Sequence, residues 1–184
     1  IFYNITGGVV MKKLVVLVLS VVVFALCASA SANYPTYLNG DRDFILCDGH
    51  MGTAWYVDRT SLTVQKYEPP QYIIAVNVIS ANSAIGDERD FYNGGSGTIR
   101  NVSTKRFFYN WDLRQMYVEG NTVNDWRLLP PTGSWAETGI SMPAGEIAFY
   151  LAYHMKFYGS KKFYDRFLNK NVDVFTDSFY TRIP

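Results

Sequence analysis

"QYIIAVNVISA", Gln71 to Ala81, is the run that decides the fold of this chain. Tyr72, Ile74, Val76 and Val78 alternate to one side; Ile73, Ala75 and Ile79 take the other, with Asn77 among them. β-branched and aromatic residues at a period of two make a strand. Apolar side chains on both faces place it centrally in a sheet that is covered on both sides.

Upstream, "DFILCD" (43–48) and "TAWYVD" (53–58) read as strands about the turn "GHMG". "SLTVQKYE" (61–68) reads as another, set off by Asp58-Arg59-Thr60, where the Asp58 carboxylate can accept from turn amides. Pro69-Pro70 ends it, because proline has no amide to give a ladder. Asn33 to Asp41 reads as an irregular lead-in. Downstream, "NSAIGDERDFYNGGSG" (82–97) is polar and glycine-rich, the composition of an exposed, mobile loop.

"TIRNVSTKRFFY" (98–109) and "RQMYVEG" (114–120) then form a hairpin about Asn110-Trp111-Asp112-Leu113. Phe107 and Tyr109 share one face and Arg106 and Phe108 the other. On the second strand Arg114, Met116 and Val118 oppose Gln115 and Tyr117. Most of these rings are therefore core and cross-strand pairs. Trp111 stands alone at the turn, where a large ring either packs onto something or meets a ligand. A further short strand is expected at Trp126 to Leu129, before a second Pro-Pro.

The chain changes character at Pro143. "PAGEIAFYLAYHMKFYG" reads as a nearly all-apolar helix from Pro143 to Gly159, with Glu146 near its positive N-terminal end. "SKKFYDRFLNK" (160–170) reads as a second short helix with Ser160 as N-cap, and the last residues as a returning edge strand. Strands first and helices last give α+β: an antiparallel sheet of about five to six strands with the C-terminal helix packed on one face.

The first 32 residues are of another kind. Lys12-Lys13, the apolar run Leu14 to Leu26 and the small residues "ASASA" make a signal peptide over 11–32 of bacterial form, with the mature start at Asn33. Cys27 follows Leu26 rather than a small residue, which argues against lipidation. Residues 1–10 precede a complete leader and read as translated upstream sequence. Residues 33–184 are then one exported domain, in the periplasm or at the cell surface. Losing the two lysines takes 17 basic residues to 15 against 16 acidic, so the mature chain is near neutral and nucleic acid is excluded as its natural partner. No second apolar run is long enough to cross a membrane.

Few residues announce chemistry. Cys47 and His50, spaced C-D-G-H, are the one thiol–imidazole pair, and a small extracytoplasmic enzyme or thiol protein would use them. Glu146, Tyr150 and His154 form a row on the helix that could relay a proton. Asp87, Glu88, Asp90 and Asn93 offer oxygen ligands, but not at the spacing of a calcium loop. No cofactor motif occurs, and no cofactor is expected. The remaining candidates for contact with a ligand are Trp111, Arg106 and Arg114, an aromatic anchor beside two cations.

"WYVDRTSL", "YIIAVNVISA" and "RFFYNWDLRQMYVEG", followed by a tryptophan, resemble the secreted bacterial domains similar to surface-adhesin protein E. The matching positions are Tyr56, Asp58, Ser61, Tyr109, Arg114, Tyr117 and Trp126, within Ala54 to Leu129. The resemblance implies an antiparallel sheet with a C-terminal helix on one face, and a role in adhesion or binding of host proteins. Several relatives tie helix to sheet through cysteines, and this chain has no such pair. The expected function is an exported, non-enzymatic binding or surface-associated module, recognising protein or glycan at the envelope.

Overall fold

The computed structural model describes residues 34–184, so residues 1–10 and the leader expected over 11–32 lie outside the described residues. Strands β1 (Phe44–His50), β2 (Thr53–Glu68), β3 (Gln71–Ser83), β4 (Gly97–Asn110), β5 (Gln115–Glu119) and β6 (Trp126–Leu129) form one antiparallel sheet in sequence order. Helix α1 (Glu88–Tyr92) interrupts the β3–β4 connection. α2 (Trp135–Thr138) and α3 (Ser141–Tyr153) follow the sheet, and β7 (Phe163–Asp165), β8 (Lys170–Val172) and α4 (Asp177–Thr181) complete the chain. The fold is α+β, with α3 packed on one face of the sheet, as its order of elements implies.

β3 is central, paired with β2 on one side and β4 on the other. Its Tyr72, Ile74, Val76 and Val78 enter the main core beneath α3. Ile79 and Ala81 enter a second core on the outer face, roofed by Tyr34, Leu38 and Phe91. Both faces of this strand are thus covered, but by different parts of the chain.

The runs 53–58 and 61–68 are one strand rather than two. Asp58 faces Asn77 and Thr63 faces Ala75, so Arg59 to Leu62 bulge out against Val76 alone. Asp58 Oδ1 accepts from the Thr60 amide at 3.0 Å and from its hydroxyl at 2.7 Å. Ser61 Oγ donates to the Asp58 carbonyl at 2.6 Å and accepts the Asn77 amide at 2.8 Å, taking the place of the missing ladder acceptor. β2 can therefore run the length of the sheet and bend with it.

α3 comes close to β4 and β5 because residue 145 is glycine. A Cβ there would stand 2.5 Å from Met116 Sδ and 3.0 Å from the Phe107 ring. The buried Tyr109 hydroxyl uses that proximity to donate to the Gly145 carbonyl at 2.8 Å.

Four further expectations need correction. The segment 82–97 is not simply an exposed loop: Asp87 caps α1 by accepting the Arg89 amide at 2.9 Å, and Phe91 of α1 is fully buried. The main helix ends at Tyr153 instead of Gly159, with His154 in the left-handed region (φ 52°) as its cap. The run 160–170 is not a helix but the start of the β7–β8 hairpin, whose turn Asp165 holds by accepting the Phe167 and Leu168 amides at 2.8 and 3.0 Å. The last residues form α4 rather than an edge strand.

Glu146 explains why the helix stops early. It is fully buried, and its carboxylate accepts the Phe157 amide at 2.7 Å, the Tyr158 amide at 2.8 Å and the Tyr180 hydroxyl at 2.6 Å. Residues 157–159 are thereby drawn back against α3, which continued helix would not allow. Burial pushes the Glu146 carboxyl upward, and the converging donors pull the other way.

Candidate functional site

Of the three residues expected to make contacts, Trp111 and Arg114 come together at the β4–β5 turn, and Arg106 stands apart. Trp111 opens the β4–β5 turn, which runs from Trp111 to Arg114, one residue later than the spacing suggested. Its indole stacks on Phe149 of α3 at 5.6 Å and 14°, and meets Phe157 edge-on at 5.9 Å. Arg114 (φ 51°) lays its guanidinium 3.3 Å from the centroid of the Trp111 ring and donates to the Phe157 carbonyl at 3.1 Å. Trp111 and Arg114 are thus half-buried pieces of the seal between the turn and α3.

Arg106 stands on the opposite face of the sheet. It is ion-paired with Glu119, donates to Gln65 at 2.8 Å, and lies 5.4 Å from the Trp126 ring. Phe108 joins it, 5.6 Å from Tyr117 and 5.8 Å from Trp126, and these rings are half-buried. The polar partners that hold Arg106 also fix the orientation of this flat patch.

Cys47 and His50 part company in β1. The register shifts between Leu46 and Asp48, so Cys47 turns into the main core, where burial pushes its thiol up to about 12. His50 is exposed at the end of the strand, its ring 5.2 Å from that of Trp135. Of the Glu146, Tyr150, His154 row, Glu146 serves the fold and His154 is exposed beyond the helix end, so no relay links them. Among the described residues no group of His, Cys, Asp and Glu side chains is disposed to hold a metal ion. No helix among them is long and apolar enough to cross a membrane.

The open site lies where sequence reasoning did not look, around Trp135. The indole is 52% exposed and yet fixed in place. Its N–H donates to Asp48 Oδ2 at 3.1 Å, while Asp48 Oδ1 accepts the Gly49 amide at 2.7 Å, orienting the carboxylate. Below the ring, α2 is held by Glu137, which accepts the Ser134 amide at 2.8 Å and hydroxyl at 3.0 Å. These two donors keep the Glu137 carboxyl below the usual carboxylate range. Arg127 of β6 donates to the Glu137 carbonyl at 2.7 Å, tying the helix to the edge of the sheet.

Trp135 walls two clefts. One, of about 380 Å³, has Trp55, Arg127, Ile140 and Ser141 for its other sides. The second, of about 280 Å³, lies toward Asp48, Met142, Phe175 and Phe179. The arrangement is chemically suited to binding: flat ring faces to stack on, with the exposed Arg127 and Glu137 side chains beside them. The signal that could have found it is "PPTGSWAETG" (130–139), a tryptophan in a Pro-, Gly- and Ser-rich loop with no strand or helix period to bury it.

No family model, curated protein or solved structure matches this chain.

Proposed function

We propose that this chain is an exported, non-enzymatic binding module of the cell envelope, with the Trp135 cleft as its recognition site and a glycan as its ligand. The observation that carries the reading is a half-exposed indole immobilised by Asp48 and by the capped α2 beneath it. An exposed aromatic ring gains affinity when its orientation is already fixed before binding. The face of Trp135 offers a stacking surface for the apolar face of a sugar ring, with the exposed Arg127 and Glu137 beside it to bond the sugar's hydroxyls. Export rests on the reading of residues 11–32 as a leader, and a surface role agrees with the resemblance to the surface-adhesin protein E domains. The buried, protonated Cys47 speaks against the thiol chemistry that is the other reading.

The test is retention of the protein on immobilised envelope polysaccharides. Trp135→Ala should weaken retention at least tenfold, the equivalent of about 1.4 kcal/mol. Arg106→Ala, altering the opposite face, should leave it unchanged. Undiminished retention of Trp135→Ala removes the cleft from consideration, and sensitivity to Arg106→Ala alone moves the site to the patch of Phe108, Tyr117 and Trp126.

A further inference from the structure

The β7–β8 hairpin holds apolar side chains out into solvent. Phe167 at its tip is 100% exposed, Leu168 is 58% exposed and Tyr164 is 55% exposed. Nothing about this is slack. Asp165 Oδ1 accepts the amides of both Phe167 and Leu168, Tyr164 donates to the Asn169 side chain, and Asn169 takes the left-handed conformation (φ 50°) that closes the turn. The hairpin root is anchored by Phe163, packed 5.5 Å from Tyr158 of the main core. A phenylalanine wholly in water contributes nothing to packing within the molecule, and with Leu168 and Tyr164 it makes an exposed apolar patch on one hairpin, the kind of feature that marks a contact surface.

The charge beside the tip specifies that surface. Lys161, Lys162, Arg166 and Lys170 all belong to the hairpin and its root, and all are exposed. Lys162 is loosely paired with Asp173 at 3.6 Å, whereas Lys161, Arg166 and Lys170 form no salt bridge among the described residues. The acidic residue nearest the tip, Asp165, is turned inward onto the turn amides. Aromatic and aliphatic side chains projecting through a set of cations are the pattern of a peripheral membrane contact. The apolar groups enter the headgroup–acyl boundary while the cations meet anionic headgroups. We propose that the β7–β8 hairpin seats this protein reversibly on an anionic lipid surface, through Phe167 and Leu168 with Lys161, Arg166 and Lys170.

The test places the reporter on the hairpin itself, so that attachment through any other part of the chain does not register. Asn171→Cys, combined with Cys27→Ser so that no other accessible thiol remains, is labelled in the full chain with an environment-sensitive dye; Cys47, buried, stays unlabelled. The labelled protein is titrated with phosphatidylglycerol-containing vesicles and with pure phosphatidylcholine vesicles. The expected result is a blue shift with the anionic vesicles, weakened several-fold by raised salt and at least tenfold by Phe167→Ser combined with Leu168→Ser. Those side chains are exposed, so the double variant should keep the parent's melting temperature, which is measured alongside. Absence of a shift overturns the proposal, as does a shift that survives the double variant. Cross-linking from residue 171 to an envelope protein with no response to vesicles also overturns it, and assigns the tip to a protein partner.

Discussion

Glu146 is the residue whose replacement tests the fold most directly. Glu146→Gln keeps the volume and opens no cavity. The amide oxygen can retain two of the three short donors, for instance the Phe157 amide and the Tyr180 hydroxyl now at 2.7 and 2.6 Å. The amide NH2 then faces the Tyr158 N–H, which today donates at 2.8 Å to the second carboxylate oxygen. Two donors are left opposed in a buried site. An unsatisfied buried donor costs about 1–3 kcal/mol, and a hydrogen bond to a neutral acceptor is weaker than one to a charged acceptor. The desolvation of the carboxylate, relieved in the variant, offsets part of this. The net expectation is a loss of about 3 kcal/mol, or roughly 6–12 °C in melting temperature for a domain of this size. Urea unfolding and a thermal melt followed by circular dichroism read it. Tyr180→Phe in the same series should cost less, because it removes one donor and leaves the two backbone bonds. A Glu146→Gln variant within about 1 kcal/mol of the parent, with unchanged urea dependence, would refute the idea that this carboxylate holds residues 157–180 in place.

The other expectations are simpler. Gly145→Ala should destabilise by about 1–3 kcal/mol in urea, because its methyl enters the space of Met116 Sδ and Phe107. Trp111→Ala should lower the melting temperature by several degrees, since the ring is stacked on Phe149 and covered by Arg114. An unchanged melt would free Trp111 for a binding role. Cys47, its thiol pushed up to about 12, should resist alkylation in the folded protein at pH 8 and react at once in denaturant. Reaction at equal rates in both conditions would contradict its burial. Ser61→Ala should cost about 1 kcal/mol by leaving the Asn77 amide without its acceptor.

The sheet was legible because its signals are local. Alternation in Gln71 to Ala81 and in the two strands about Trp111 assigns each side chain to its observed face, and the two Pro-Pro pairs mark real strand ends. Several polar and aromatic side chains of these strands also hold the sheet and helix together. Asp58 and Ser61 build the bulge, Tyr109 bonds α3, and Arg114 caps Trp111. What escaped the sequence was decided at long range. The helix end depends on a carboxylate finding amides eleven and twelve residues away, where period and propensity alone would continue the helix to Gly159. Phe91 sits in a polar window and is buried only because Tyr34 and Leu38 arrive from a distant part of the chain. Trp135 was missed because a ring in a loop carries no periodic signal, and its orientation is set by Asp48, eighty-seven positions away.

The strictly sequential order of β1 to β6 has a kinetic consequence for a chain delivered from its N-terminus. Each strand's partner is the one just made, so the sheet can zip with short loop closures as it emerges. The cover for its apolar face, α3, comes only after all six strands. Throughout that interval Ile74, Val76, Phe107, Met116 and their neighbours form an open greasy surface. The passage from Leu129 to Tyr153 is therefore the stretch of synthesis in which this molecule is most exposed to aggregation.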